Sequence, residues 1–252
     1  SRLHVSGPLA MVVGPAGKIW VGSAPDYGMW GGTLASYDPD TGERHSARHL
    51  TQDGSVVSLA WLPQLGLLLA GTTVWGGSGT AIKAYSGEFI LWHPERQEKV
   101  WAGTFGLDPI DGVYDLLPRP DGTVIAVVFI SDSLEGAGAT KQRPAHVEVL
   151  HLDFGKRSLL ARTVLPADWG RPFEWALQEG PGGEVLAVTD RQVYHITVTP
   201  GAVHLAQWWR PDTGRINVAG PVVDGTFYFA TGSRLRAVVL PPAPSPSLQR
   251  HA

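Results

Sequence analysis

One unit recurs five times in this 252-residue chain: a short apolar run, a glycine-bearing turn and a second β-rich run. The copies read LAMVVGPAGKIWVGS, VSLAWLPQLGLLLAGT, VYDLLPRPDGTVIAVVF, WALQEGPGGEVLAVTD and NVAGPVVDGTFYFATG, with turn glycines Gly17, Gly66, Gly122, Gly183 and Gly225. A repeat constrains a fold more tightly than local propensity does, because each copy buries its apolar surface only against its neighbours. The intervals are near the roughly 40–50 residues of a four-stranded propeller blade and longer in the middle copies, which points to insertions there.

Each copy continues into a third run (GTLASYDPDTGE, EFILWHPERQE, HVEVLHLDFGKR, QVYHITVTPGA, RLRAVVLPP), and four copies into a fourth (RHSARHL, KVWAGTF, LLARTVL, VHLAQWW). No segment sustains a 3.6-residue apolar period with helix caps, so the chain reads as all-β. A β-sandwich lacks a repeated turn in constant phase. The expectation is a five-bladed β-propeller over residues 1–240, with blades near 6–50, 55–105, 112–165, 173–209 and 216–240, and a Pro-rich tail over 241–252. The fifth copy lacks a fourth run and the N-terminal SRLHV alternates like a strand, so residues 1–5 are expected to complete the last blade and close the ring. The alternative is the C-terminal part of a larger propeller of about seven blades.

Composition excludes several function classes. There is no cysteine, which removes disulfides, thiolate metal sites and cysteine nucleophiles. A net charge of −3 leaves no electrostatic footprint for nucleic acid. No apolar stretch reaches the roughly 18 residues of a membrane span. The chain begins with Ser and shows no signal-peptide apolar region, so it reads as a processed or excised chain, and an extracellular or cell-surface location is favoured.

The turns inside each repeat are tight, whereas the connections at the other end of the blades are long: SAPDYGMWGG, TTVWGGSGTAIKAYSG and ISDSLEGAGATKQRPA within blades, and LTQDGS, TFGLDPIDG, LPADWGRPFE and WRPDTGRIN between them. Long loops held on a rigid scaffold are where binding residues concentrate. They nominate Asp26, Tyr27, Trp30, Trp75, Tyr85 and Trp169 as ligand-binding residues. Residues that open the first strand of a blade add Tyr114, Asp115, Glu174 and Trp175. Aromatic rings stack on the apolar face of a sugar while carboxylates fix its hydroxyls, so the chemistry suits carbohydrate. The same aromatics also serve to pack loops against each other.

The stretch GKIWVGSAPDYGMWGGTLASYDPDTGE, followed by SVVSLAW, LLLAGTTVWGGSGT and FILWHPE, resembles bacterial PQQ-like and WD-repeat-like propellers. The likeness rests on a Tyr-Gly-x-x-Gly-Gly loop, here Tyr27, Gly28, Gly31 and Gly32, and on a second Gly-Gly loop at Gly76 and Gly77. It implies the fold and little chemistry, because propellers host many functions. The Gly-His … Trp-Asp signature of WD repeats is not evident, and no residues that would hold a quinone cofactor stand out.

Gly76-Gly77-Ser78-Gly79-Thr80 lacks the Gly-Lys-Ser/Thr of a phosphate loop, and Asp38-Pro39-Asp40-Thr41-Gly42 lacks calcium-loop spacing and reads as a turn. No Gly-x-Ser-x-Gly elbow and no His-Glu-x-x-His pair is present, and no metal or cofactor is expected. His146 follows the longest loop, beside Lys141 and Arg143. The catalytic candidates are His146 or Tyr27 as base with Arg143 or Arg171 as cation, for proton abstraction beside a uronate carboxylate. The sequence therefore supports a carbohydrate-binding module first. A polysaccharide lyase or glycoside hydrolase on the same face is the alternative, and a protein-interaction scaffold is a third reading. The partner is a small-molecule or polysaccharide ligand, or neighbouring domains of a longer chain, with no nucleic acid and no membrane insertion.

Overall fold

The computed structural model describes residues 7–107, 109–131, 144–173, 177–180, 182–212 and 214–242. They form five antiparallel meanders in chain order. The first sheet is β1 (Pro8–Val13), β2 (Ile19–Ser23), β3 (Thr33–Tyr37) and β4 (Arg44–Ala47). The second is β5 (Val56–Leu62), β6 (Leu67–Thr72), β7 (Phe89–His93) and β8 (Glu98–Gly103). The third is β9 (Ile110–Pro118), β10 (Val124–Ser131), β11 (Pro144–Asp153) and β12 (Ser158–Val164). The fourth is β13 (Gln178–Glu179), β14 (Val185–Val188), β15 (Val193–Thr199) and β16 (Ala202–Trp209), and the fifth is β17 (Val218–Val223), β18 (Thr226–Thr231) and β19 (Arg234–Val239). The chain divides into two compact units, 1–148 with 152–159 and 149–151 with 160–252.

The turns that define the repeat adopt the conformation their glycines permit. Gly17, Gly66, Gly122, Gly183 and Gly225 all have positive φ, which a side chain would oppose. At the last of these turns Asp224 shares the left-handed conformation with Gly225, as a two-residue hairpin requires. The turns between third and fourth strands share another device. Asp38 Oδ1 accepts from the Asp40 and Thr41 amides at 2.9 and 3.2 Å, and Asp153 Oδ1 accepts from the Lys156 amide at 2.9 Å. At the matching position His93 Nδ1 accepts from the Arg96 amide at 3.3 Å.

In the first unit β6 and β10 are buried along almost their whole length, whereas β4 and β8 are largely exposed or half-buried. An antiparallel strand with one wet face alternates in polarity, so these continuous apolar runs mark sheets covered on both faces. The core joins Trp20, Leu34, Val56, Leu68, Ile90 and Trp92. Each buried Leu or Ile side chain contributes about 1.5–3 kcal/mol. Phe89, Phe105 and Phe154 meet edge to face at 5.3–5.7 Å. In the second unit Leu186, Val188, Ile216, Phe227 and Phe229 form the core, and Trp209 packs on Phe229 at 5.2 Å.

Closure by the N-terminal strand does not hold. The fifth sheet has three strands, β17-β18-β19, and no sheet closes on itself through hydrogen bonds among the described residues. The first sheet already takes up the chain at its entry to β1. Gly7 O accepts from the Ala24 amide at 3.1 Å, which extends the Pro8↔Ser23 end of the β1–β2 ladder within the first sheet. At the other end, β19 keeps Leu235 and Val239 exposed. Residues 1–6 and the tail beyond 242 lie outside the described residues.

Candidate functional site

In the first unit the β2–β3, β4–β5 and β6–β7 connections gather and are tied by their own backbones. The β2–β3 loop meets the β6–β7 loop through Gly28 N donating to Ser78 O and Gly77 N donating to Met29 O, both at 2.9 Å. Gly77 is required there, because a Cβ on it would collide with the Asp26 carbonyl. The β4–β5 connection joins the same cluster through Leu50 N to Gly32 O at 2.9 Å and Gly32 N to Gly54 O at 2.7 Å. Satisfying these polar groups locally lets the loops hold a defined shape without a core of their own.

A cleft of about 410 Å³ lies among these loops, walled by Asp26, Trp30, Arg48, His49, Asp53 and Lys83, with Gln52 beside them. Trp30 is fixed at its edge by Nε1 donating to Ala81 O at 3.0 Å, and its face carries the Lys83 ammonium 3.4 Å from the ring centre. His49 has φ of 55°, a left-handed conformation that costs a residue with a side chain about 1–2 kcal/mol. Its imidazole occupies the notch that Gly31 leaves by having no side chain. Asp26 is exposed in the wall. Tyr27, between two lining residues, is 82% exposed and lies over Gly79.

Other nominated residues are placed differently. Trp75 points its indole N–H at Asp111, 3.2 Å from Oδ2 and 3.3 Å from Oδ1, and the Tyr114 hydroxyl donates to Asp111 Oδ1 at 3.2 Å. Asp111 is 2% exposed, so this is a buried carboxylate with indole and phenol donors. The Ser55 hydroxyl donates to Trp75 O at 2.7 Å and fixes the loop above it. Asp115 is buried and accepts from the Leu116 amide at 2.8 Å. Tyr85 is exposed on the β6–β7 loop and does not line the cleft. His146 Nε2 lies 3.1 Å from Glu148 Oε1, a buried carboxylate two residues on along the same strand. Arg143, Glu174 and Trp175 fall outside the described residues.

In the second unit Trp169 packs on Tyr194 at 5.8 Å, and its carbonyl accepts from the Thr189 hydroxyl at 2.5 Å. Asp190 ties the neighbouring loops: Oδ1 accepts from the Arg171 amide at 2.9 Å and Oδ2 from Arg215 Nη1 at 3.1 Å.

The residues that sequence reasoning passed over are Arg48, His49, Gln52 and Asp53. Gln52 and Asp53 lie in the connection LTQDGS, whereas Arg48 and His49 read as the end of the fourth strand run, and the positive φ of His49 and its fit against Gly31 carry no local sequence signal. Glu148 carried one, since a His-x-Glu spacing in a strand places both side chains on one face.

No family model matches the sequence, and no curated protein matches it. Solved structures do. A candidate gluconolactonase superposes with a TM-score of 0.58 at 15% identity, over 95% of this chain and 79% of that one. The Dos1 propeller gives 0.55 at 16% identity, over 91% of this chain and 54% of that one. The fold is that of a β-propeller. A candidate 6-phosphogluconolactonase from Bacteroides fragilis gives 0.53 at 11% identity, over 92% of this chain and 65% of that one. At these identities the likeness is one of fold: it supports a β-propeller and no specific propeller family. Among the described residues no helix is long and apolar enough to cross a membrane.

Proposed function

We propose that this propeller is a ligand-binding module that takes carbohydrate in the cleft on the long-loop side of its first unit. The observation that carries the reading is a small-molecule-sized cleft whose walls are fixed loops, flanked by an exposed ring and lined by polar side chains with hydrogen-bonding capacity to spare. Such sites combine an apolar platform with a few placed polar groups. Tyr27, exposed beside the lining residues, supplies a platform at the rim, and Asp26, Gln52 and Asp53 supply acceptors for hydroxyls. Trp30 and Trp75 serve the scaffold, since one face of Trp30 is covered by Lys83 and the edge of Trp75 is held by Asp111. A glycan array probed with wild type and with Tyr27→Ala plus Asp26→Asn tests this. Binding by wild type that the double variant loses supports it; no binding, or equal binding by both, removes it.

A second reading, an enzyme on the same face, draws on the His146–Glu148 pair, in which a buried carboxylate orients an imidazole. A fixed imidazole is the commonest general base. The test is the appearance of unsaturated or hydrolysed product from uronate polymers, with His146→Ala abolishing it. Absence of product from every polymer removes this reading.

A further inference from the structure

We propose that the ligand of the cleft is an acidic sugar, a monosaccharide-sized molecule bearing one carboxylate or phosphate beside its hydroxyls, with Arg48 and Lys83 taking the anion and Asp26 and Asp53 the hydroxyls. The inference rests on the carbohydrate reading above and names its substrate class.

Two cations and two carboxylates line one cleft, and among the described residues none of them forms an ion pair. Several other cations among the described residues do sit on carboxylates, as Lys18 does on Asp38, Arg96 on Glu98 and Arg215 on Asp190. In the cleft Arg48 and Lys83 instead stand apart from Asp26 and Asp53, so their donors and acceptors stay available to a bound molecule. Lys83 is held in place, because the Trp30 ring beneath its ammonium is itself anchored at Ala81 O. A cation over an aromatic face keeps its N–H groups for a further partner. Arg48 precedes His49, whose left-handed backbone and seat against Gly31 fix the exit from β4. Strain of this kind persists where the surroundings over-determine a residue, and it clusters at binding sites.

The charge pattern selects the ligand. A bare anion would meet the carboxylates of Asp26 and Asp53. A neutral sugar would leave Arg48 and Lys83 without acceptors on burial, which carries a desolvation cost. A molecule with one anionic end and a run of hydroxyls satisfies both pairs. The cleft is near the lower end of the roughly 300–1,000 Å³ range of small-molecule sites, a size for a sugar acid rather than a polymer.

Isothermal titration of the full chain with D-glucuronate, D-gluconate, D-glucose 6-phosphate and D-glucose tests the inference. At least one acid binds wild type about tenfold or more tightly than glucose does, and which acid wins separates carboxylate from phosphate. Arg48→Gln and Lys83→Gln each weaken the acid by about tenfold, the worth of one charge-assisted hydrogen bond, and weaken glucose by less. Arg96→Gln, at the far end of β7, changes neither. Unfolding midpoints of the variants establish that they are folded, and Arg48, exposed in the wall, carries the test if Lys83→Gln loosens its loop. Glucose binding as tightly as every acid, or a folded Arg48→Gln that binds the acid as wild type does, overturns the inference and leaves the carbohydrate reading standing. If no sugar binds, both fall.

Discussion

Lys83 rests its ammonium 3.4 Å above the centre of the Trp30 ring, a stacking that joins the backbone bonds tying the β6–β7 loop to the β2–β3 loop. The Trp30 edge is held as well, at Ala81 O, so this half-buried indole is a structural pin. Trp30→Ala is expected to lower stability by about 2–3 kcal/mol through lost packing and one orphaned carbonyl. Lys83→Met keeps most of the side-chain volume and removes only the charge over the ring, with an expected cost of about 0.5–1 kcal/mol. Urea denaturation of the two variants checks the ratio; equal losses would show that the ring is not the anchor.

Asp111 offers a sharper contrast. Its buried carboxylate accepts from Trp75 Nε1 and the Tyr114 hydroxyl. Asp111→Ala leaves both donors without their acceptor and is expected to cost about 2–4 kcal/mol, whereas Asp111→Asn keeps one oxygen acceptor and costs less. Chemical denaturation followed by tryptophan fluorescence reads both the loss and the altered surroundings of Trp75.

The pH dependence carries opposite signs at two kinds of carboxyl. The Thr41 amide, with the Asp40 amide, holds the Asp38 carboxyl below its ordinary value of 3.8, and the Lys156 amide does the same for Asp153. A carboxyl whose pKa falls on folding stabilises the fold above its unfolded pKa and loses that contribution as pH falls through the folded value. Asp38→Asn is therefore expected to lower the melting temperature at pH 7 and to converge on wild type below about pH 3.8. Burial pushes Glu88 above 4.5, with Lys99 opposing. Its ionisation penalises the fold above the folded pKa, and the penalty disappears below 4.5. Glu88→Gln is expected to raise the melting temperature at pH 7 and to match wild type at pH 4. Melting curves at these pH values decide it, and a Glu88→Gln variant less stable than wild type at pH 7 would contradict the burial argument.

How much of this was legible in the sequence follows from the range of the interactions. The five turns were readable because a glycine at a tight turn is a local steric requirement, met at Gly17 and Gly225 alike. The strands between them were readable because burial on both faces leaves continuous apolar runs such as that of β10. The closure expectation fails because alternation states a strand's faces but not its partner, and the last sheet of the described residues holds β17, β18 and β19 alone. The site was half-legible. Asp26 and Trp30 are legible from their loop, but Arg48, His49 and Asp53 also line the cleft, and the seat of His49 depends on a distant notch at Gly31. Trp75 could not be sorted from the sequence, since its use is decided by a carboxylate in the next blade.

The loops of the second unit give a prediction that separates positioning from packing. Asp190 receives the Arg171 amide on one oxygen and the Arg215 guanidinium on the other, while its own amide donates to Arg171 O and its carbonyl accepts from Ile216 N. The side chain thus adds two bonds to a backbone frame that persists without it. Asp190→Ala is expected to speed hydrogen exchange at the Arg171 amide strongly, because that N–H loses its acceptor, and to leave exchange at Ile216 nearly unchanged. The stability cost stays near about 1–2 kcal/mol, since the Arg215 pair is exposed and an exposed pair contributes little. Asp190→Asn retains an acceptor for Arg171 and is expected to restore slow exchange there without restoring the ion pair. Amide-resolved exchange on the three proteins tests the assignment. Equal acceleration at Arg171 and Ile216 in Asp190→Ala would mean that the whole loop cluster opens as one unit and that the carboxylate, not the backbone frame, holds it shut.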